Sequence, residues 1–182
     1  MSVRQVACYL ISILAAPVVA LYIKGQHKRL MKDAVGIPDE MMHALAPYFA
    51  ADVLSTARLF VADHLPLSKL PFSSVLRHCG LYVPSPYTIA AITFDSVVAA
   101  REHLPARMLF HELVHVVQYR LLGVDRFARQ YVEGFLTEGS YERIPLECCA
   151  LMLEEYFASD CTPFSVEDAV LLWSKKHDLC EG

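Results

Sequence analysis

His111, Glu112 and His115 stand as His-Glu-Leu-Val-His inside an apolar, helix-forming run from Arg107 to Leu122. On a helix, positions i and i+4 share one face, with Cβ atoms about 5–6 Å apart. Two imidazoles held that way can share one zinc ion at Zn–N distances of roughly 2.0–2.1 Å. Glu112 is turned from His111 by about 100° on a 3.6-residue helix, so it is not a natural third ligand on that face. It is placed instead to take a proton from a water held by the metal. The neighbours Phe110, Leu113, Val114, Val116 and Val117 are bulky and uncharged. Two histidines and a glutamate in such an apolar cylinder would be buried polar groups without partners, and a metal resolves that.

A catalytic zinc needs three protein ligands and one open position. Four downstream carboxylates compete for the third place: Glu133, Glu138, Glu142 and Glu147. Glu147 is preferred and Glu142 stands second. Glu147 lies in the first turn of an expected helix whose next residues, Cys148 to Leu153, are all apolar. A carboxylate there is drawn toward the core and needs a strong partner. A capping box would want Ser or Thr at position 144, which is Ile144.

At these residues the chain resembles the gluzincin-type zinc metallopeptidases, which share HExxH on one helix and a Glu on a later one. It is most similar to the small bacterial members. The matching pieces are Ala91-Ile92-Thr93-Phe94, the stretch His111 to Tyr119, and Pro145-Leu146-Glu147-Cys148-Cys149-Ala150. The resemblance covers about Arg58 to Ala158. It implies zinc held by His111, His115 and Glu147, Glu112 as general base, and a peptide or protein substrate. It also implies that a strand from the Thr88–Ala100 region borders the cleft. Two departures stand out: the interval from His115 to Glu147 is longer than in the best-known members, and no Asp follows at their usual supporting position. Tyr131, Tyr141, Arg143 and His177 are candidates for stabilising an oxyanion. His27, His43, His64, His78 and His103 show no ligand spacing and read as structural or solvated.

The elements that must position these groups follow from local signals. Pro38-Asp39-Glu40 suits a helix first turn, so a helix is expected from Pro38 to Ala57. Arg58 to Leu65 reads as a strand bounded by Pro66, and Pro66 to Pro86 as mostly loop. Thr88–Phe94 and Ser96–Ala100 read as a hairpin or two adjacent strands around Asp95. Gly123 ends the motif helix as a left-handed cap would. Further helices are expected at Asp125–Leu136, Pro145–Ala158 and Ser165–His177, with Gly139 as a breaker. The fold class is α+β: a helix-dominated, zincin-like domain with a small sheet, preceded by an apolar helix.

The 182 residues suit one domain with a real core, and a net charge of −4 without a basic stripe argues against a nucleic-acid partner. Val6 to Ile23 carries no charge and would rise about 27 Å as a helix, near the thickness of a hydrocarbon core. It reads as a membrane anchor, or as a signal peptide cleaved after Val18-Val19-Ala20. Lys24, Lys28, Arg29 and Lys32 follow it in a basic connector running to about residue 37, so the positive-inside rule favours a cytoplasmic domain spanning 38–182. On this reading a chain beginning near Gly36 keeps the site and its core. The alternative functions are a metal-stabilised interaction module without catalysis, or an exported effector with a peptidase fold. The six cysteines form no CxxC pair and a poor disulfide framework, as expected in a reducing compartment. The sequence contains no Asn and so no N-glycosylation site.

Overall fold

The computed structural model describes residues 3–63, 65, 90–159 and 162–178, with side chains from position 10 to 176 of these. The expected Pro66–Pro86 loop lies outside them. Seven α-helices and four strands are described: α1 (Val3–Leu30), β1 (Val35–Gly36), α2 (Asp39–Leu45), α3 (Ala51–Thr56), β2 (Arg58–Val61), β3 (Ala91–Phe94), β4 (Val97–Ala100), α4 (Ala106–Leu122), α5 (Val124–Glu138), α6 (Pro145–Ala158) and α7 (Val166–Asp178). A 3₁₀ turn at Tyr141–Arg143 leads into α6. The fold is α+β and dominated by helix, as the sequence leads one to expect.

The sheet order is β1-β2-β4-β3. β2 runs parallel to β4, β3 pairs antiparallel with β4 across the Asp95-Ser96 turn, and β1 antiparallel with β2. Asp95 takes a φ of 57°, a left-handed turn position that Asp tolerates. β4 is central and wholly buried because both faces of the sheet are covered. Val98 and Ala100 enter one core with Leu109, Leu113 and Leu153. Val97 and Ala99 point the opposite way, into a second core with Phe94, Tyr119, Phe127 and Ile144. Double-sided burial explains why this strand is continuously apolar and does not alternate.

Three expectations change. The Pro38–Ala57 helix is two helices, α2 and α3, because Pro47 has no N–H to give and the first helix stops at Leu45. The strand expected to reach Leu65 ends at Val61. Ala62 N–H still donates to Ala100 O at 3.1 Å, but there β4 ends and, among the described residues, no strand partner continues. The basic segment read as a connector is helical as far as Leu30, whose side chain is buried along with Gln26. Ala20, Ile23 and Leu30 of α1 belong to the second core. A chain beginning near Gly36 would therefore lose part of that core, contrary to the sequence expectation.

Candidate metal centre

α4 is buried on almost every side from Leu109 to Tyr119, so its polar side chains have to find partners inside the protein. The i, i+4 spacing sets the rings of His111 and His115 side by side, with Nε2 atoms 3.2 Å apart. α6 crosses α4 and brings Glu147, only 2 % exposed, to both. Glu147 Oε2 lies 3.4 Å from His111 Nε2 and 3.3 Å from His115 Nε2. Among the described residues these three side chains are the group able to hold a metal ion, with all ligand atoms within 4.8 Å of one another.

The hydrogen bonds around the triad fix which atoms face inward. His111 Nδ1 is 3.0 Å from Glu154 Oε2, and His115 Nδ1 is 2.8 Å from Gln118 Oε1. Gln118 is fully buried, and its Nε2 donates to Leu146 O at 2.9 Å, which orients its amide oxygen toward His115. Both Nδ1 atoms are therefore donors, and both Nε2 lone pairs aim at Glu147 Oε2, a buried oxygen with no hydrogen-bond partner. Three lone pairs facing one another form a site that could hold a cation. The triangle's edges of 3.2, 3.3 and 3.4 Å are longer than charge-assisted hydrogen bonds. They match the ~3.3 Å edge of a tetrahedron built on metal–ligand bonds of about 2.0–2.1 Å.

Further groups hold the triad in place. Arg107 Nε donates to Glu154 Oε1 at 2.6 Å. Tyr131 Oη donates to Glu147 Oε1 at 3.0 Å. Gly134 on α5 faces the start of α6: a Cβ there would lie 2.9 Å from Pro145 Cδ and 3.1 Å from Ile144 Cγ2. The missing side chain lets α6 approach closely enough to deliver Glu147. Gly123, which ends α4, has φ 75° and ψ 156°. It is positive in φ as expected, but extended and not left-handed helical, a region that is essentially glycine's alone.

Glu112 is 7 % exposed, and Thr93 Oγ1 on β3 donates to its Oε2 at 2.6 Å. Burial pushes the Glu112 carboxyl up, against the lowering pulls of His115, Thr93 and His111. Without a metal, burial is the largest single influence on His115 and would lower it, but the charge and hydrogen bond of Glu147, the charge of Glu112 and the hydrogen bond of Gln118 together raise the imidazole to about 9. Glu147 is pushed up by burial but held well below the ordinary carboxylate range, first by His115. Burial, followed by the Glu147 charge, raises Tyr131 and Tyr141 and keeps both phenols protonated.

The structure thus brings together His111, Glu112, His115 and Glu147. Glu138 and Glu142 are exposed, and Glu133 is half-buried on α5, outside the triad. Of the oxyanion candidates, Tyr131 and Tyr141 adjoin Glu147, Arg143 is exposed, and the side chain of His177 lies outside the described residues. Sequence reasoning missed Thr93, Gln118 and Glu154. Glu154 could have been found seven residues after Glu147, on the same face of α6. Cys148 and Cys149, beside the ligand, are free thiols. Comparison with family models, curated proteins and solved structures returns no match.

Proposed function

We propose that this chain is a zinc-dependent metallopeptidase of the gluzincin type, with His111, His115 and Glu147 as ligands and Glu112 as general base. The observation that carries the reading is the inward-facing triad of lone pairs with Glu112 beside it on the same helix. A scaffold would need the triad but would have no use for a carboxylate at position 112.

When bound, zinc supplies a Lewis acid that polarises a carbonyl and makes a neighbouring water more acidic. Glu112 takes the proton of the attacking water and delivers it to the departing amine. Thr93 holds one carboxylate oxygen of Glu112, which fixes the direction of that transfer. Tyr141, 40 % exposed and next to Glu147, is the donor we place at the oxyanion, being more open to an incoming substrate than the half-buried Tyr131. The substrate is a peptide or protein. The chain is membrane-associated through α1, with its catalytic part on the cytoplasmic side as the basic residues after the span favour. Removal of α1 as a signal segment, followed by export, is the competing topology.

A second reading, a metal-stabilised interaction module, draws support from the near-complete burial of the triad. Incubation of the zinc-loaded chain with a peptide library, read by mass spectrometry, separates the two. The peptidase reading predicts new termini that vanish in Glu112→Gln while that variant keeps its zinc. Equal cleavage by Glu112→Gln, or none by the zinc-loaded wild type, rejects it.

A further inference from the structure

α1 has two faces with different fates. Ser12, Ala16, Ala20, Ile23, Gln26 and Leu30 recur every three or four residues and are buried. They pack chiefly on α5, with β3 and β4 beyond. Lys24 Nζ clamps the pair through Asp125 at 2.7 Å, and His27 Nε2 meets Ser96 Oγ at 3.0 Å. The opposite face carries Leu10, Leu14, Val18 and Leu21, exposed by 55 %, 77 %, 42 % and 71 %. The same side of the helix then turns basic, with Lys24, Lys28 and Arg29 exposed. By length and composition the stretch Leu10–Leu30 is apolar enough to cross a membrane.

The docked face argues against crossing. α5 lies against α1 and presents Arg126, Arg129 and Glu138 outward. A bilayer pierced by the docked α1 would have to take those charges into hydrocarbon, at several kcal/mol each on insertion scales. Pro17, exposed on the outer side, leaves the Ile13 carbonyl without its helical donor. Headgroup water can satisfy that carbonyl, whereas lipid tails cannot.

The geometry points to α1 lying in the plane of an anionic membrane surface, docked to the domain on one side and dipping its leucine stripe into the lipid on the other. The Leu10–Leu21 stripe meets the acyl boundary and Lys28 and Arg29 meet acidic headgroups, the combination that marks interfacial helices. The domain is then monotopic, seated on one leaflet with α4 and α6 outside the lipid. This refines the membrane association proposed above and is independent of the peptidase chemistry.

The test is co-sedimentation of the purified full chain with phosphatidylcholine vesicles, with and without roughly 30 mol % phosphatidylserine to supply an anionic surface, followed by alkaline carbonate extraction. The inference predicts binding to the acidic vesicles, weakened by salt and released by carbonate. Lys28→Gln with Arg29→Gln should lower partitioning by ~30-fold. Leu14→Glu with Leu21→Glu should lower it by about tenfold or more. Both pairs are exposed, so the thermal midpoint and metal content should be unchanged, and that check keeps loss of binding distinct from loss of fold. Carbonate-resistant protein with an intact Met1 end means that the helix crosses, and overturns the inference. So does a mature chain lacking α1. Absence of vesicle binding also overturns it, whether the leucine pair then proves to hold a dimer of this chain or to hold nothing. Zinc content measured on the same samples reports separately on the metal centre.

Discussion

With Nδ1 of His111 committed to Glu154 and Nδ1 of His115 to Gln118, the space between the two Nε2 atoms and Glu147 Oε2 suits a cation. In the metal-free protein that cation is a proton. Burial opposes it most strongly, but Glu147, Glu112 and Gln118 together outweigh burial and push His115 up to about 9 from an ordinary 6.5. A raised folded value means stabilisation that is complete below 6.5 and lost as pH rises through 9. Glu147 is lowered from 4.5, so its contribution is present above 4.5 and lost in acid. The metal-free chain should therefore melt highest between about pH 4.5 and 6.5 and lose stability toward pH 9. Zinc needs neutral imidazoles, so the increment in melting temperature on adding zinc should grow over that range. A metal-free midpoint that is flat from pH 6 to 9.5 contradicts the pairing. Glu154→Ala should weaken zinc by ~10–100-fold in a chelator competition, because it releases the His111 ring. An unchanged affinity would remove Glu154 from the account. The grouping of His111, His115 and Glu147 was legible from their spacing and apolar setting. Gln118 and Glu154 were not, because each is defined by the ring atom that it must satisfy, and that becomes visible only when α4 and α6 meet.

At the scale of elements, the delivery of Glu147 depends on how closely α5 lets α6 approach. A methyl at Gly134 would strike the ring of Pro145, which cannot swing aside as a flexible side chain would. Gly134→Ala should cost ~1–3 kcal/mol of stability, measured by denaturant unfolding, and should also loosen zinc. A neutral result on both counts would show that α6 does not rest on this contact. The helices from α4 onward could be read in the sequence because Pro145, Gly123, Gly139 and Ser165 punctuate them. β1 could not: two residues carry no periodicity, and its register exists only through Leu59 and Arg58 of β2. Thr93 reaches Glu112 through the β3–β4 pairing, which no local pattern specifies.

For the whole molecule, the outcome that differs most from the sequence reading is the role of α1. Its apolarity suggests an independent segment, yet its inner face completes the second core. Deleting everything before Gly36 removes Ala20, Ile23 and Leu30 from that core. Each large aliphatic side chain there contributes ~1.5–3 kcal/mol, against a net stability of only ~5–15 kcal/mol. The shortened chain should be insoluble or melt far lower than the full one by circular dichroism. A soluble truncated chain with an unchanged midpoint would mean that α1 does not stabilise the rest. Zinc bound per chain, determined by elemental mass spectrometry on the purified full-length protein beside Glu147→Ala and Glu142→Ala, bears most directly on the central claim. The triad predicts about one zinc in the wild type and in Glu142→Ala, with most of it lost in Glu147→Ala. A wild type without metal, or a Glu147→Ala chain as full as the wild type, would contradict it.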